Sequence, residues 1–163
     1  MKLLFLRHAT AEDAQGGMSD WDRALTDEGR TQAEVVGNAL RLLETQPEIV
    51  LSSPLVRARQ TAEIVAALLG CRVELVDELQ PGADSINNLQ HVLQHYDAET
   101  VMLVGHEPDF STLAARLINA DDRGILLKKA GLIRIDIDGR IKAGRGRQAW
   151  LLTPKVMGFM GKG

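Results

Sequence analysis

The sequence predicts an α/β fold in three layers, with helices on both faces of a mostly parallel central sheet. Residues 3–6 and 101–104 are apolar runs without alternation, which is typical of strands buried on both faces of a parallel sheet. Segments with helical periodicity separate these runs. Residues 132–137 alternate instead, with isoleucines on one face only. That pattern predicts a peripheral, half-exposed antiparallel strand.

The composition is that of one globular domain. The chain has 163 residues, of which 45% are hydrophobic and 25% charged, so we expect a single domain over residues 1–163 that is a monomer. A net charge of −3 argues against nucleic acid or a membrane surface as the main partner. The single cysteine, Cys71, fits a reducing compartment, and we expect the apolar start to be too short for the core of a signal peptide. We therefore expect a cytoplasmic protein.

The elements follow one another in a regular order. A first strand over residues 2–7 leads into a polar loop from Glu12 to Arg23, and Thr26 is placed to cap the next helix. Pro54 suits the first position of the following helix, which ends at Gly70. The other predicted elements are strands at 48–52, 72–76, 100–105, 132–137 and 149–153, helices at 85–95 and 108–118, and a basic turn at 144–147.

Arginine and histidine side chains follow three of these predicted strands. They are Arg7 with His8, Arg57 in the first turn of a helix, and His106. Ligands bind beyond the carboxyl ends of such strands, and helix N-termini favour anions. A cation in the first turn of a helix is unfavourable by a few tenths to about one kcal/mol, because it opposes the helix dipole. Its presence at Arg57 therefore indicates a functional role for this side chain. Because the planar arginine fork binds phosphate bidentately, the pattern predicts a pocket for a doubly charged oxyanion.

Four motifs in this order resemble the histidine phosphatase (phosphoglycerate-mutase-like) superfamily. They are Arg7-His8-Ala9-Thr10, Leu25-Thr26-x-x-Gly29, Ser52-Ser53-Pro54-x-x-Arg57-Ala58-x-x-Thr61-Ala62 and Val104-Gly105-His106-Glu107-Pro108. The small size and the ending Trp150-Leu151-Leu152-Thr153-Pro154 look most like its SixA-type phosphohistidine phosphatases. The resemblance implies a phosphoglycerate mutase-like fold and a phosphatase that needs no cofactor and no metal.

The resemblance also implies roles for individual residues. His8 would be the nucleophile that forms a phosphohistidine intermediate. Its attacking nitrogen must be unprotonated, so we expect the other ring nitrogen to donate to a backbone carbonyl. The residues expected to hold the phosphoryl oxygens are Arg7, Arg57 and His106, with secondary substrate contacts from Arg23 and Thr10.

Two departures from the family pattern bear on the chemistry. Ala9 stands where the family usually has glycine, which costs about a kcal/mol or more if the backbone there is left-handed and nothing otherwise. Many members also carry a glutamate acid after the third strand, where this chain has Leu79-Gln80-Pro81. An alkoxide leaving group would then lose about 10²–10⁴-fold of acid catalysis. An imidazole leaving group needs less help, which favours an N–P substrate. The possible stand-ins are Glu107, Glu12 and Glu78.

The favoured substrate is a phosphohistidine on a protein, such as a phosphotransfer domain, because a short chain leaves an open site. The alternatives are a small-molecule phosphomonoesterase of the same superfamily and a non-catalytic phosphate-binding module. His91 and His95 have metal-ligand spacing, but with no third ligand nearby we interpret them as a solvated helix face. Trp21 could line the rim of the pocket, and we expect it to pack the loop down instead.

Overall fold

A six-stranded mixed sheet forms the centre of the computed structural model, which describes residues 1–14, 16–17 and 19–161. Residues 15 and 18 of the predicted loop lie outside the described residues. The strands are β1 (Lys2–Arg7), β2 (Ile49–Ser52), β3 (Arg72–Leu75), β4 (Thr100–Gly105), β5 (Leu132–Ile137) and β6 (Gly146–Leu152). The α-helices are α1 (Asp27–Leu42), α2 (Val56–Leu69), α3 (Ile86–Leu93), α4 (Asp109–Leu117) and α5 (Pro154–Met160).

The strand order is β3-β2-β4-β1-β5-β6, and the first four of these strands are parallel. β5 runs antiparallel to both β1 and β6, so the predicted fold class is confirmed. β5 lies at the periphery of the sheet as predicted, and its antiparallel neighbour β6 forms the edge. Arg134 and Asp136 of β5 form an ion pair at 2.7 Å. The two polar residues that indicated a peripheral strand therefore satisfy each other.

Successive residues of β1, β2 and β4 face two separate hydrophobic cores. Leu4 and Leu6 of β1 pack against α1, α2 and α5, whereas Leu3 and Phe5 pack against α3 and α4. The Phe5 and Phe110 rings meet edge to face with centroids 5.3 Å apart. This arrangement explains why β1 and β4 are continuously apolar. No helix in the described part of the chain is long and apolar enough to cross a membrane.

Some predicted boundaries are wrong. α2 begins at Val56 with Leu55 as its N-cap, because the Leu55 carbonyl is the first acceptor of the helix, bonded by Ala58 and Arg59. Pro54 thus lies in the turn before the helix. β6 begins at Gly146, so only the first half of the predicted basic turn is a turn. The short helix α5 was not predicted.

Two motif glycines allow close approaches beside the carboxyl edge of the sheet. A Cβ on Gly29 would collide with the Thr10 carbonyl oxygen, the same atom that accepts from Thr26 N at 3.1 Å. The N-terminus of α1 is therefore seated directly on the loop that follows β1. A Cβ on Gly105 would lie 2.5 Å from Cζ of Phe110. Glycine at these positions lets the Thr10 backbone pack directly against α1 and the Phe110 ring pack directly against β4.

Candidate active site

The carboxyl ends of β1 and β4 place two histidines side by side. His8 follows β1, His106 follows β4, and the His8 amide donates to the Gly105 carbonyl at 3.0 Å. The two imidazole centroids are 5.3 Å apart, and both residues are buried. Arg57, in the first turn of α2, reaches the same place. The structure thus brings together the residues that follow three different strands.

The His8 ring is held in one tautomer. Its Nδ1 lies 2.8 Å from the Ala9 carbonyl oxygen, which can only accept, so Nδ1 carries the proton. The Nε2 lone pair accepts from Nε of Arg57 at 3.3 Å. Burial lowers the pKa of His8 to about 3 against the raising effect of the Ala9 carbonyl, and electrostatic interaction with His106, Arg57 and Arg7 lowers it further. His8 is therefore neutral at physiological pH, with Nε2 available as a nucleophile. The predicted backbone acceptor is the Ala9 carbonyl.

The Arg57 guanidinium is buried and fully oriented. Opposite its contact with His8, Nη1 donates to the Asp20 carbonyl at 2.6 Å and Nη2 donates to the Asp20 carboxylate at 3.0 Å. The second oxygen of that carboxylate accepts from Arg23 at 2.8 Å. Arg23 also donates from Nε to the Glu12 carbonyl at 2.6 Å. Arg23 therefore stands one residue away from Arg57, joined to it through Asp20.

Arg7 approaches the histidines from the end of β1. Its Nη1 donates to the Leu127 carbonyl at 3.0 Å. Its Nε is buried and has no hydrogen-bond partner among the described residues. Burial lowers the pKa of Arg7, although the group stays cationic. A buried N–H without a partner costs free energy.

His106 is oriented by a residue that the sequence reasoning did not single out. Its Nε2 lies 2.8 Å from Oγ of Ser53, which is fully buried. Burial, and then the positive charge of Arg57, lowers the pKa of His106 to about 4. Ser53 belongs to the Ser-Ser-Pro motif that immediately follows β2. Its place at a strand end was a signal that could have identified it.

Ala9 has an ordinary backbone conformation and links two elements of the site. The non-glycine residues with positive φ in the described chain are Glu44, Asn119 and Ala130. Alanine is therefore tolerated without left-handed strain at position 9. The Ala9 amide donates to Oγ1 of Thr61 at 3.1 Å, and that hydroxyl donates to the Arg57 carbonyl at 2.7 Å. Thr61 thereby ties the segment after β1 to the first turn of α2.

Two further candidates lie at the margin. The amide and the hydroxyl of Thr10 both donate to Oε1 of Gln32 at 3.0 Å, so the Thr10 side chain is engaged in seating α1. The expectation that Trp21 packs the loop down is wrong, because it is 42% exposed. It lies in the 3-10 helix Asp20–Asp22, which buries none of its residues. The anchoring contacts of this helix come from Asp20 instead.

The three carboxylates named as stand-in acids lie in different surroundings. Glu107 is half-buried, and burial raises its pKa against the opposing effect of the Ser111 amide and the Arg7 charge. Its Oε1 accepts from Ser111 N at 3.0 Å. Glu78 lines a separate cavity of about 390 Å³ together with His91 and His95. Glu12 is exposed. Glu107 is therefore the carboxylate that interacts electrostatically with the site.

The exposed pair His91 and His95 meets edge to face, with centroids 5.3 Å apart. Gln94 reaches both rings, with Nε2 at 3.0 Å from one and 3.4 Å from the other. Within the described residues, no group of three or more histidine, cysteine or acidic side chains could hold a metal ion.

Comparisons with known proteins agree with this geometry. The model of the histidine phosphatase superfamily (branch 1) matches residues 3–81. An uncharacterised protein of Picosynechococcus is 36% identical over 94% of this chain and 96% of its own length. The phosphohistidine phosphatase SixA of Escherichia coli is 27% identical over 94% of both chains. A solved structure of the protein histidine phosphatase SixA with tungstate is 26% identical, with a TM-score of 0.81 over 95% of this chain and 98% of that one.

Proposed function

Because the chain belongs to the histidine phosphatase superfamily and is a phosphatase, we propose that it dephosphorylates phosphohistidine on proteins through its own His8. Nε2 of His8 attacks phosphorus, the bond from phosphorus to the substrate imidazole breaks, and that imidazole takes up a proton from solvent. Water then attacks the phosphorylated His8, which releases inorganic phosphate and restores the neutral ring. The proposed partner is a cytoplasmic phosphotransfer-type protein.

The orientation of His8 is the observation that carries this proposal. Its Nδ1 proton is fixed on the Ala9 carbonyl, so the lone pair of Nε2 points into the site. The lowered pKa, about 3, keeps that lone pair free of a proton. An imidazole in this state needs no general base before it attacks. A module that only bound phosphate would have no use for it.

The surrounding groups supply the electrostatics of phosphoryl transfer. Positive charge comes from Arg7 and Arg57, and His106 adds a neutral ring beside His8. Phosphoryl transfer depends chiefly on positioning and on stabilising charge over the phosphoryl oxygens. The electrostatic effect of both arginines on the two histidines supports the proposal that an oxyanion completes the site.

The loop after β3 supports an N–P substrate. It carries Gln80 and Pro81 and is fixed to α4 by the Asp109 carboxylate, which accepts from Gly82 N at 2.7 Å. At the place where many family members carry the glutamate acid, this loop has Gln80 and Pro81, and its Glu78 lines the separate cavity with His91 and His95. An imidazole is readily protonated near neutral pH, so the absent acid matters least for phosphohistidine. The similarity to SixA of Escherichia coli supports the same substrate class.

The test compares substrates directly. A phosphotransfer-domain protein phosphorylated on histidine and a panel of phosphate monoesters are offered to the wild type and to His8→Ala. We expect the highest kcat/KM on the phosphohistidine protein, with no turnover by the variant. Monoesters cleaved as fast or faster would contradict the substrate, and turnover by His8→Ala would contradict the nucleophile.

A small-molecule phosphomonoesterase is the second candidate, and one observation favours it. The half-buried Glu107 has a raised pKa and lies close enough to Arg7 for their charges to interact, so it could hold a proton for an alkoxide leaving group. A relative in fold, a mycobacterial glucosyl-3-phosphoglycerate phosphatase, has a TM-score of 0.70 at 19% identity. The monoesterase requires Glu107 as a general acid, whereas the phosphohistidine phosphatase does not.

A further inference from the structure

Asp20 contacts Arg57 through two different oxygens. The Asp20 backbone carbonyl accepts from Nη1 at 2.6 Å, and its carboxylate accepts from Nη2 at 3.0 Å. The Arg57 side chain is only 6% exposed, whereas that of Asp20 is 59% exposed. A surface carboxylate thus reaches inward to a buried cation. The carboxylate itself is held by Arg23 at 2.8 Å.

The direction of these contacts decides which edge of the guanidinium faces His8. Because Nη1 and Nη2 both donate to Asp20, the two terminal nitrogens of the planar guanidinium are fixed in position. Its opposite Nε edge then points to Nε2 of His8, at 3.3 Å. A phosphoryl group carried on Nε2 would lie against that edge. Without the Asp20 carboxylate, Arg57 would keep its charge and its Nη1 contact to the backbone carbonyl of residue 20 but lose the charged contact at Nη2.

We propose that Asp20 is a positioning residue for phosphoryl transfer, which holds Arg57 so that its Nε edge faces the phosphorus on His8. Asp20 does not bind the phosphoryl group, since two anions would repel each other. It acts through Arg57. The inference rests on the proposed function only in assuming that Arg57 contacts the transferred group.

Substitution of Asp20 should affect the rate and the affinity for oxyanions in opposite directions, which distinguishes a positioning role from other roles. Replacing Asp20 by asparagine removes a negative charge near the site, so an oxyanion should bind equally well or more tightly. The same change replaces the charged acceptor of Arg57 Nη2 by a neutral amide oxygen, and Asp20→Ala removes that acceptor altogether, whereas the backbone carbonyl that accepts from Nη1 stays. Arg57 is thereby loosened, and a misplaced catalytic group costs up to about 10²-fold in rate. Hence kcat should fall while affinity for oxyanions does not. If Asp20 bound phosphate directly, its substitution would weaken oxyanion binding. If its role were purely structural, the substitution would lower the melting temperature.

The experiment measures kcat and KM of the wild type, Asp20→Asn, Asp20→Ala and Asp20→Glu on the best substrate of the wild type. Affinity for tungstate is determined by calorimetry, and the Nε–H signal of Arg57 is followed by ¹⁵N NMR. Asp22→Asn is the matched control, because Asp22 is an exposed carboxylate at the other end of the same 3-10 helix. All variants are compared by melting temperature.

We expect kcat of Asp20→Asn and Asp20→Ala to fall by about tenfold to a hundredfold, with tungstate affinity equal or tighter and a broadened Arg57 Nε–H signal. Asp20→Glu should recover much of the rate, and Asp22→Asn should match the wild type. An unchanged or raised kcat in Asp20→Ala, or an Arg57 signal in that variant identical to that of the wild type, overturns the inference. If the wild type turns over no substrate, the proposed function fails, and the Arg57 signal still decides the role of Asp20.

Discussion

Nε of Arg57 donates a hydrogen bond to Nε2 of His8 at 3.3 Å, so the nucleophile and one of its charge partners are in direct contact. This contact stabilises the neutral form of His8, because only an unprotonated Nε2 can accept it. During attack the lone pair must form a bond to phosphorus instead. The freed Nε–H of Arg57 would then lie beside the phosphoryl oxygens. The bond at rest therefore places the cation where the reaction requires it.

The lowered pKa of His8 predicts an unusual pH dependence. A free histidine loses its nucleophilic form below about pH 6.5. In this site the pKa lies near 3, so the ring stays neutral as the pH falls through that range. We expect kcat/KM, corrected for titration of the substrate, to stay level between about pH 7.5 and about pH 5. Steady-state kinetics in overlapping buffers measure this. A fall in kcat/KM centred near pH 6.5 would contradict the state assigned to His8.

Ser53 should matter for rate through its contact with His106. Ser53→Ala removes the hydroxyl that lies 2.8 Å from Nε2 of His106, which leaves that ring free to turn. We expect kcat to drop by about tenfold or more. Ser52→Ala is the matched control, because Ser52 is an adjacent buried serine whose hydroxyl donates to the Ser53 carbonyl at 2.9 Å. Equal losses in both variants would indicate a general packing effect and remove the role of Ser53.

Thr61 should matter for stability. Its hydroxyl accepts from Ala9 N and donates to the Arg57 carbonyl, and the residue is completely buried. Thr61→Val keeps the shape and leaves a buried N–H without a partner, which should lower the free energy of unfolding by about 1–3 kcal/mol. Urea denaturation followed by circular dichroism measures the change. Thr61→Ser retains the hydroxyl and should lose clearly less; a valine variant as stable as the wild type, or more stable than the serine variant, would contradict the role of the hydroxyl.

Much of the site could be predicted because its main residues follow apolar strands. Arg7 and His106 come after runs that can only be buried, and the carboxyl ends of parallel strands meet at one edge. The contact between Asp20 and Arg57 has no such signal. It joins an irregular loop to a helix 37 residues away, and no periodicity in the loop indicates which carboxylate turns inward. The exposure of Trp21 was missed for the same reason.

The short C-terminal helix shows a second limit of sequence patterns. α5 has only seven residues and buries a single one, Met157. A segment this short offers no repeat of apolar positions from which a helical face could be identified. Its start is set by Thr153, whose side chain accepts from Val156 N at 3.4 Å, and by Pro154 at the first helical position. Capping signals alone did not suffice to predict it.

Glu107→Gln separates the two candidate substrate classes. The amide keeps an oxygen to accept from Ser111 N but cannot donate a carboxylic proton. If phosphohistidine is the substrate, turnover of the phosphohistidine protein should change by less than about threefold, since the leaving imidazole needs little acid catalysis. Hydrolysis of monoesters should fall by about tenfold or more. Parallel assays on both substrates give the ratio. A large loss on the phosphohistidine protein would mean that Glu107 acts in the main reaction.

The central claim is that His8 carries the phosphoryl group, and the direct measurement is to trap it. The enzyme is mixed with the phosphohistidine protein, quenched within milliseconds in alkali, digested, and analysed by mass spectrometry and ³¹P NMR. The account predicts a phosphoryl group on Nε2 of His8 in the wild type and none in His8→Asn. A phosphoryl group on another residue, or rapid turnover with no phosphoenzyme at any time point, would contradict it.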